Sequence, residues 1–250
     1  MTAVAVVFPP AQDTLPLRHA LIFSPVLPQW DQGAFFTPVT DVLRSAGFQV
    51  TVVDTLSLWD VSTTTVRELA ERWRNEIRRF GEVDLLVGNA LGGAVAQALA
   101  GALSPSCGVL LVSSPTLADS VLGDRLSAIA VLAEQGRLGE ALALLGRRVL
   151  PEGESGPVDN LEPTVGPAAG RRLARGMRLL LELDLVDDVR RYAGPLVHIV
   201  GARSQLVTDK HVAGAAHHQI VSVSGAGMRP HSDSPEIVAA IVGQFVTASG

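Results

Sequence analysis

Val83-Asp84-Leu85-Leu86-Val87-Gly88-Asn89-Ala90-Leu91-Gly92-Gly93 is the stretch on which the reading of this chain turns. Its first five residues form an apolar run that predicts a buried strand, and residues 94–103 predict an Ala-rich helix. Between them stand Gly88, Ala90, Gly92 and Gly93. A strand–turn–helix with the pattern G-x-S-x-G is a nucleophile elbow, whose glycines permit a turn too tight for a Cβ and whose central side chain is lifted towards solvent. Here the central side chain is the methyl of Ala90.

Outward from the elbow, strands and helices alternate. Short apolar runs at 4–8, 19–23, 50–53, 109–112, 196–200 and 220–223 predict strands, and helical periods are expected at 37–46, 63–80 and 236–246. The runs are mostly continuous rather than alternating, as in strands buried on both faces, so the fold class expected is α/β: a doubly wound, mostly parallel sheet. A helix is also expected at 208–216. From 119 to 192 no strand interrupts a series of helical segments (126–134, 138–149 and 168–189), with a turn-rich stretch at 151–163. That length favours a helical lid insertion at 118–193, between core segments 1–117 and 194–250.

Composition narrows the function classes. The chain has 250 residues, 47% hydrophobic and 18% charged, enough for one α/β domain with a large core. A net charge of −5 without a basic block argues against nucleic acid. No run is long enough for a spanning helix, and the N-terminus lacks a basic leader region, so a cytoplasmic setting without membrane contact is expected. Cys107 is the one cysteine, which rules out an internal disulfide, and it reads as packed. No metal spacing stands out and no cofactor is expected. Lys210 is the only lysine among many arginines, a bias that suggests a GC-rich genome such as an actinobacterium's.

In this order of elements the chain resembles the α/β-hydrolase superfamily over residues 20–246, at four places. Ser24-Pro25-Val26 falls where the family has its first oxyanion loop, and residues 87–93 are the elbow. Residues 201–209 form the loop that commonly holds the acid, and residues 225–236 look like the histidine loop and closing helix. The resemblance implies a serine nucleophile at the Ala90 position and an oxyanion hole of the Val26 and Leu91 amides. It also exposes departures. The base usually follows Gly-x-Gly, where this chain has Met228. The acid usually falls three residues after the strand-ending glycine, where Gly201 leads to Ser204. His231, three residues past Met228, is the expected base, reached by a loop that bends differently. Asp209 or Asp119 is the expected acid, and either aspartate could instead only cap a helix. Trp30, Phe35, Phe36 and Trp59 follow strand ends and are expected to line an apolar pocket.

The resemblance implies an enzyme acting on an ester or thioester of a small apolar molecule, free or carrier-protein-bound. Two groups fit: the thioesterases of polyketide and peptide synthases, and the acetate-eliminating lyases of tetronate pathways. Ala90 is then read as a Ser→Ala variant, because every glycine of the elbow is kept. The alternatives are a lyase working with the same site, and a natural pseudo-hydrolase that only binds.

Overall fold

The structure, a computed structural model, describes residues 2–12, 17–156 and 166–248. Among these, seven strands form one sheet: β1 (Ala5–Phe8), β2 (Arg18–Phe23), β3 (Phe48–Val53), β4 (Leu85–Asn89), β5 (Gly108–Val112), β6 (Leu196–Gly201) and β7 (Gln219–Val223). Their spatial order is β1-β3-β2-β4-β5-β6-β7. Only β1 is antiparallel, on β3; the other pairs are parallel, as the continuous apolar runs predicted.

Side chains alternate between two apolar layers. Leu21, Phe23, Leu86, Val109 and Leu111 face one way and pack with Trp73 and Leu99, from α2 (Val66–Ile77) and α3 (Ala90–Ala100). Ala20, Ile22, Val87, Leu110 and Ile199 face the other way, against α1 (Thr37–Ser45) and α9 (Pro235–Ala248). Helix α2 starts directly after Thr65. Thr65 accepts from the Glu68 amide, and the Glu68 carboxylate accepts from the Thr65 amide, a reciprocal cap.

The chain leaves β2 for β3 on one side, then returns to place β4 on the other. A parallel sheet opens a crevice at the carboxyl ends of its strands where the order reverses in this way. Val26 follows β2 and Ala90 follows β4, so both stand at this switch point.

Between β5 and β6 lie α4 (Ser120–Glu134), α5 (Leu138–Val149), α6 (Pro167–Arg178) and α7 (Val186–Arg191). Helix α4 packs on both α5 and α6, whereas α7 packs on α3 in the layer next to the sheet. Helix α6 is tied to the loop after β2. The Arg172 guanidinium donates to the Leu27 carbonyl (2.8 Å) and pairs with Asp54. Gly176 packs so closely that a Cβ there would lie 2.4 Å from a methyl of Val26.

Three local expectations need correction. The helix predicted at 168–189 is two helices, because the chain turns at 179–185 to bring Leu185 to the Thr116 carbonyl. The helix predicted at 208–216 is only a 3-10 turn, Asp209–His211, followed by extended backbone at Val212. The loop expected to carry His231 instead contains a short helix, α8 (Pro230–Asp233), with Pro230 in its first turn. The turn-rich stretch at 151–163 lies partly outside the described residues.

Candidate functional site

The elbow is built to a tolerance that admits no side chains at its glycines. A Cβ on Gly88 would lie 2.5 Å from the backbone of Gly93, and one on Gly92 would lie 2.1 Å from the Phe23 carbonyl oxygen. One on Gly93 would meet Ser114 at 1.6 Å. These contacts let α3 start directly against β2 and β5. The same turn holds Ala90 at φ 48°, in the left-handed region that L-residues other than glycine avoid at a cost of about 1–2 kcal/mol. Asn89 is buried beside it and donates its side-chain amide to the Val112 carbonyl (2.7 Å), which fastens the turn to β5. The Leu91 amide lies in the first turn of α3, where N–H groups have no intrahelical partner.

Ala90 opens into a chamber of about 250 Å³. Its floor is Pro25, Val26, Asn89, Ala90 and Pro115 at the strand ends, and α4 contributes Leu122 and Leu126. Helix α5 adds Leu142, Leu145 and Val149; α6 adds Met177. Met228 and Arg229 close the side formed by the loop after β7. The wall is overwhelmingly aliphatic. Among the described residues, Arg229 is the only ionisable residue that lines it.

The loops after β6 and β7 are laced together. The Arg203 amide donates to the Ala226 carbonyl (2.8 Å), and a Cβ on Gly201 would lie 1.9 Å from the Gly227 carbonyl oxygen. The Met228 amide reaches the Val149 carbonyl at the end of α5 (3.1 Å). This lacing brings Ser204 to Met228, and the Ser204 hydroxyl donates to the Met228 sulfur at 3.7 Å. The positions at which the family resemblance calls for acid and base therefore touch, as an alcohol and a thioether. Both are buried.

His231, expected as the base, does not line the chamber. Helix α8 carries it into the apolar layer on the far side of the sheet. There its ring stacks on Phe36 (centroids 5.7 Å apart, planes at 18°) and meets Phe35 edge-on at 4.8 Å. It is fully buried, and neither ring nitrogen makes a well-formed hydrogen bond. Burial pushes its pKa down to about 4; the Arg229 charge adds to the fall and the Phe35 backbone opposes it. The imidazole is thus neutral at pH 7 and packs as an aromatic ring. His198, in β6, is also buried, accepts from the Ser114 amide (3.2 Å), and is lowered to about 3 by burial.

Neither expected acid lines the chamber. Asp119 caps α4, accepting from the Leu122 amide at 2.8 Å, and its pKa is lowered chiefly by that bond and then by His211. His211 Nε2 lies 3.1 Å from Asp119, an off-axis approach that ties the 3-10 turn to α4. Asp209 is exposed at the start of that turn. Of the aromatic residues expected in the pocket, only Phe35 lines it. Phe36 is fully buried in the layer beneath. Trp30 packs against the same layer, and Trp59 stacks under the Arg175 guanidinium (4.0 Å) on another surface. The expected oxyanion residue Val26 is at the chamber and Leu91 is one residue past Ala90. Arg229 was not singled out in the sequence, although its place next to Met228 marks it as facing the same site.

A sequence profile of the alpha/beta hydrolase family matches residues 23–241, and the chain belongs to that family. Solved structures share the fold at low identity. MGS-M2, an alpha/beta hydrolase enzyme from a Medee basin deep-sea metagenome library, is 12% identical with a TM-score of 0.78, over 98% of this chain and 94% of its own. An esterase from Exiguobacterium antarcticum is 14% identical with a TM-score of 0.76, over 98% and 95%. A hydrolase from Pseudomonas aeruginosa is 16% identical with a TM-score of 0.75, over 98% and 94%. A search of curated protein sequences finds no match.

Proposed function

We propose that this chain uses the hydrolase fold to bind a small, mostly apolar molecule in the chamber at Ala90, without serine-nucleophile chemistry. The observation that carries this reading is the contact between Ser204 and Met228. Acyl transfer through a serine needs a base in reach of the hydroxyl and a group that orients that base. Here the base position is a thioether, its partner is an alcohol, and the nucleophile position is a methyl. The three fit one another: Ser204 donates to sulfur and in turn accepts from the Leu206 amide. A chain altered only at residue 90 would retain a base and an acid at the other two positions.

A second reading rests on the elbow. Its glycines are packed as a reactive turn requires, and Ala90 holds the strained conformation that presents a side chain at the helix N-terminus. In that reading a serine at position 90 would hydrolyse an ester or thioester, or eliminate acetate, with the Val26 and Leu91 amides receiving the oxyanion.

One experiment separates the two. Ala90→Ser alone should remain unlabelled by a fluorophosphonate probe. The triple substitution Ala90→Ser, Ser204→Asp, Met228→His should be labelled and should hydrolyse p-nitrophenyl butyrate by a factor on the order of 10³ or more above the parent. Rapid labelling of the single variant would overturn the binding reading in favour of the serine enzyme.

A further inference from the structure

One ionisable residue stands in the mostly apolar wall of the chamber, and it has no counterion among the described residues. Arg229 lines the chamber beside Met228, makes none of the ion pairs among the described residues, and keeps a buried Nε without a hydrogen-bond partner. Most of the other arginines are engaged: Arg172 with Asp54, Arg178 with Glu134, Arg203 with Glu154 and Arg125 with the Gln205 carbonyl. The Asp233 carboxylate, four residues on, accepts from the Gly227 amide (2.8 Å) and makes no ion pair with Arg229. A guanidinium N–H buried at an apolar wall is unfavourable without an acceptor, and a ligand in the chamber can supply one.

We infer that the ligand of this chamber is an amphipathic acid: a compact hydrocarbon body carrying one carboxylate or comparably acidic oxygen, with Arg229 as its anchor. The inference rests on the binding reading above and gives the ligand its chemistry. A guanidinium matches a carboxylate with two parallel N–H donors, so it fixes the orientation of the molecule as well as its charge. The hydrocarbon then lies along Leu122, Leu126, Leu142 and Met177, and Ala90 leaves space where a larger side chain would project. A volume of about 250 Å³ suits a molecule of modest size.

The test is calorimetric titration with three probes that each carry an eight-carbon chain: octanoate, octan-1-ol and octyltrimethylammonium. Octanoate should bind the parent protein more tightly than octan-1-ol by on the order of ten- to a hundred-fold, and octyltrimethylammonium should bind more weakly than either. Arg229→Gln should remove the preference for octanoate and leave octan-1-ol binding within about two-fold, since it removes the charge-assisted bond without touching the aliphatic wall. Leu122→Trp, which fills the chamber from α4, should abolish both. Equal affinity for the acid and the alcohol, or an Arg229→Gln variant that still prefers octanoate, would overturn the anchor while leaving the binding reading intact. If none of the probes binds, or if Leu122→Trp binds as well as the parent, both fall.

Discussion

The turn after β4 and the paired loops after β6 and β7 meet at one chamber, yet they have kept different things. The turn keeps the geometry of an elbow: Gly88 and Gly92 wedged against backbone, Gly93 against the Ser114 side chain, and a strained Ala90 that presents only a methyl. The loops keep an arrangement of partners with different chemistry: the touching pair at the acid and base positions is Ser204 and Met228. The glycines have neighbours at under 3 Å that a Cβ would strike, so they answer to the packing of α3 on the sheet whether or not a reaction takes place. Ser204 and Met228 meet through their side chains, with the Leu206 amide as a further partner of Ser204 and the chamber beside Met228. Retained elbow glycines are therefore evidence of fold, and the loop side chains are the evidence about chemistry.

The comparison is broken most directly by substituting both sides. Gly92→Ala should destabilise the protein by about 3 kcal/mol or more, because its Cβ would collide with the carbonyls of Phe23 and Ser24 rather than with a movable side chain. Met228→His should cost about 1 kcal/mol or less, with Ser204 available as a partner. Urea denaturation of the two variants checks the contrast, and a tolerated alanine at position 92 would show that the turn is not held by packing.

A second effect separates His231 from the chamber through pH. Its pKa is lowered from 6.5 to about 4 in the fold, so the unfolded chain binds the proton more readily between those values. Stability should be fully present above about pH 6.5 and should fall as the pH drops towards 4, by on the order of 3 kcal/mol from this residue, with His198 acting in the same direction. His231→Phe, which retains the stack on Phe36, should flatten that dependence in thermal melts between pH 4 and 7. An unchanged profile would place the titrating ring elsewhere.

A smaller effect should come from the clamp on the oxyanion loop. Arg172→Ala leaves the Asp54 carboxylate and the Leu27 carbonyl without the guanidinium, and should cost about 1–3 kcal/mol. Faster amide exchange at Val26 and Leu27 would be its local signature. The smallest effect should be at the elbow's centre. Ala90→Gly relieves the left-handed strain and should leave stability within about 1 kcal/mol of the parent, whereas Ala98→Gly, later in the same helix, should lose about 1 kcal/mol. Equal losses at both positions would mean that Ala90 carries no strain.

The layered architecture was legible because strands buried on both faces leave continuous apolar runs, and the Thr65 cap and the elbow glycines are local signals. The contact between Ser204 and Met228 was not legible as a contact. The two residues are far apart in sequence, and only the lacing of two loops brings them together, although each departure from the family pattern was visible alone. His231 lies away from the chamber because Pro230, with Ser232 and Asp233 behind it, starts a helical turn that carries the ring inward, which the loop-like composition of 224–234 does not signal. The helix expected at 208–216 ends after one 3-10 turn, although Thr208 and His211 cap its start, because the backbone runs extended from Val212. Arg229 escaped notice because an arginine in a loop is unremarkable until the wall around it is known to be aliphatic.

The bond from Ser204 to the Met228 sulfur also bears on how such a site changes over generations. A serine gained at position 90 finds no base, a histidine gained at 228 finds no nucleophile, and an aspartate gained at 204 faces sulfur. On the binding reading proposed above, each step alone would leave activity where it was, because members of such a set act together or hardly at all. Selection for turnover would then have no slope to climb from this sequence. The same flatness leaves the chamber wall free to follow whatever occupies it.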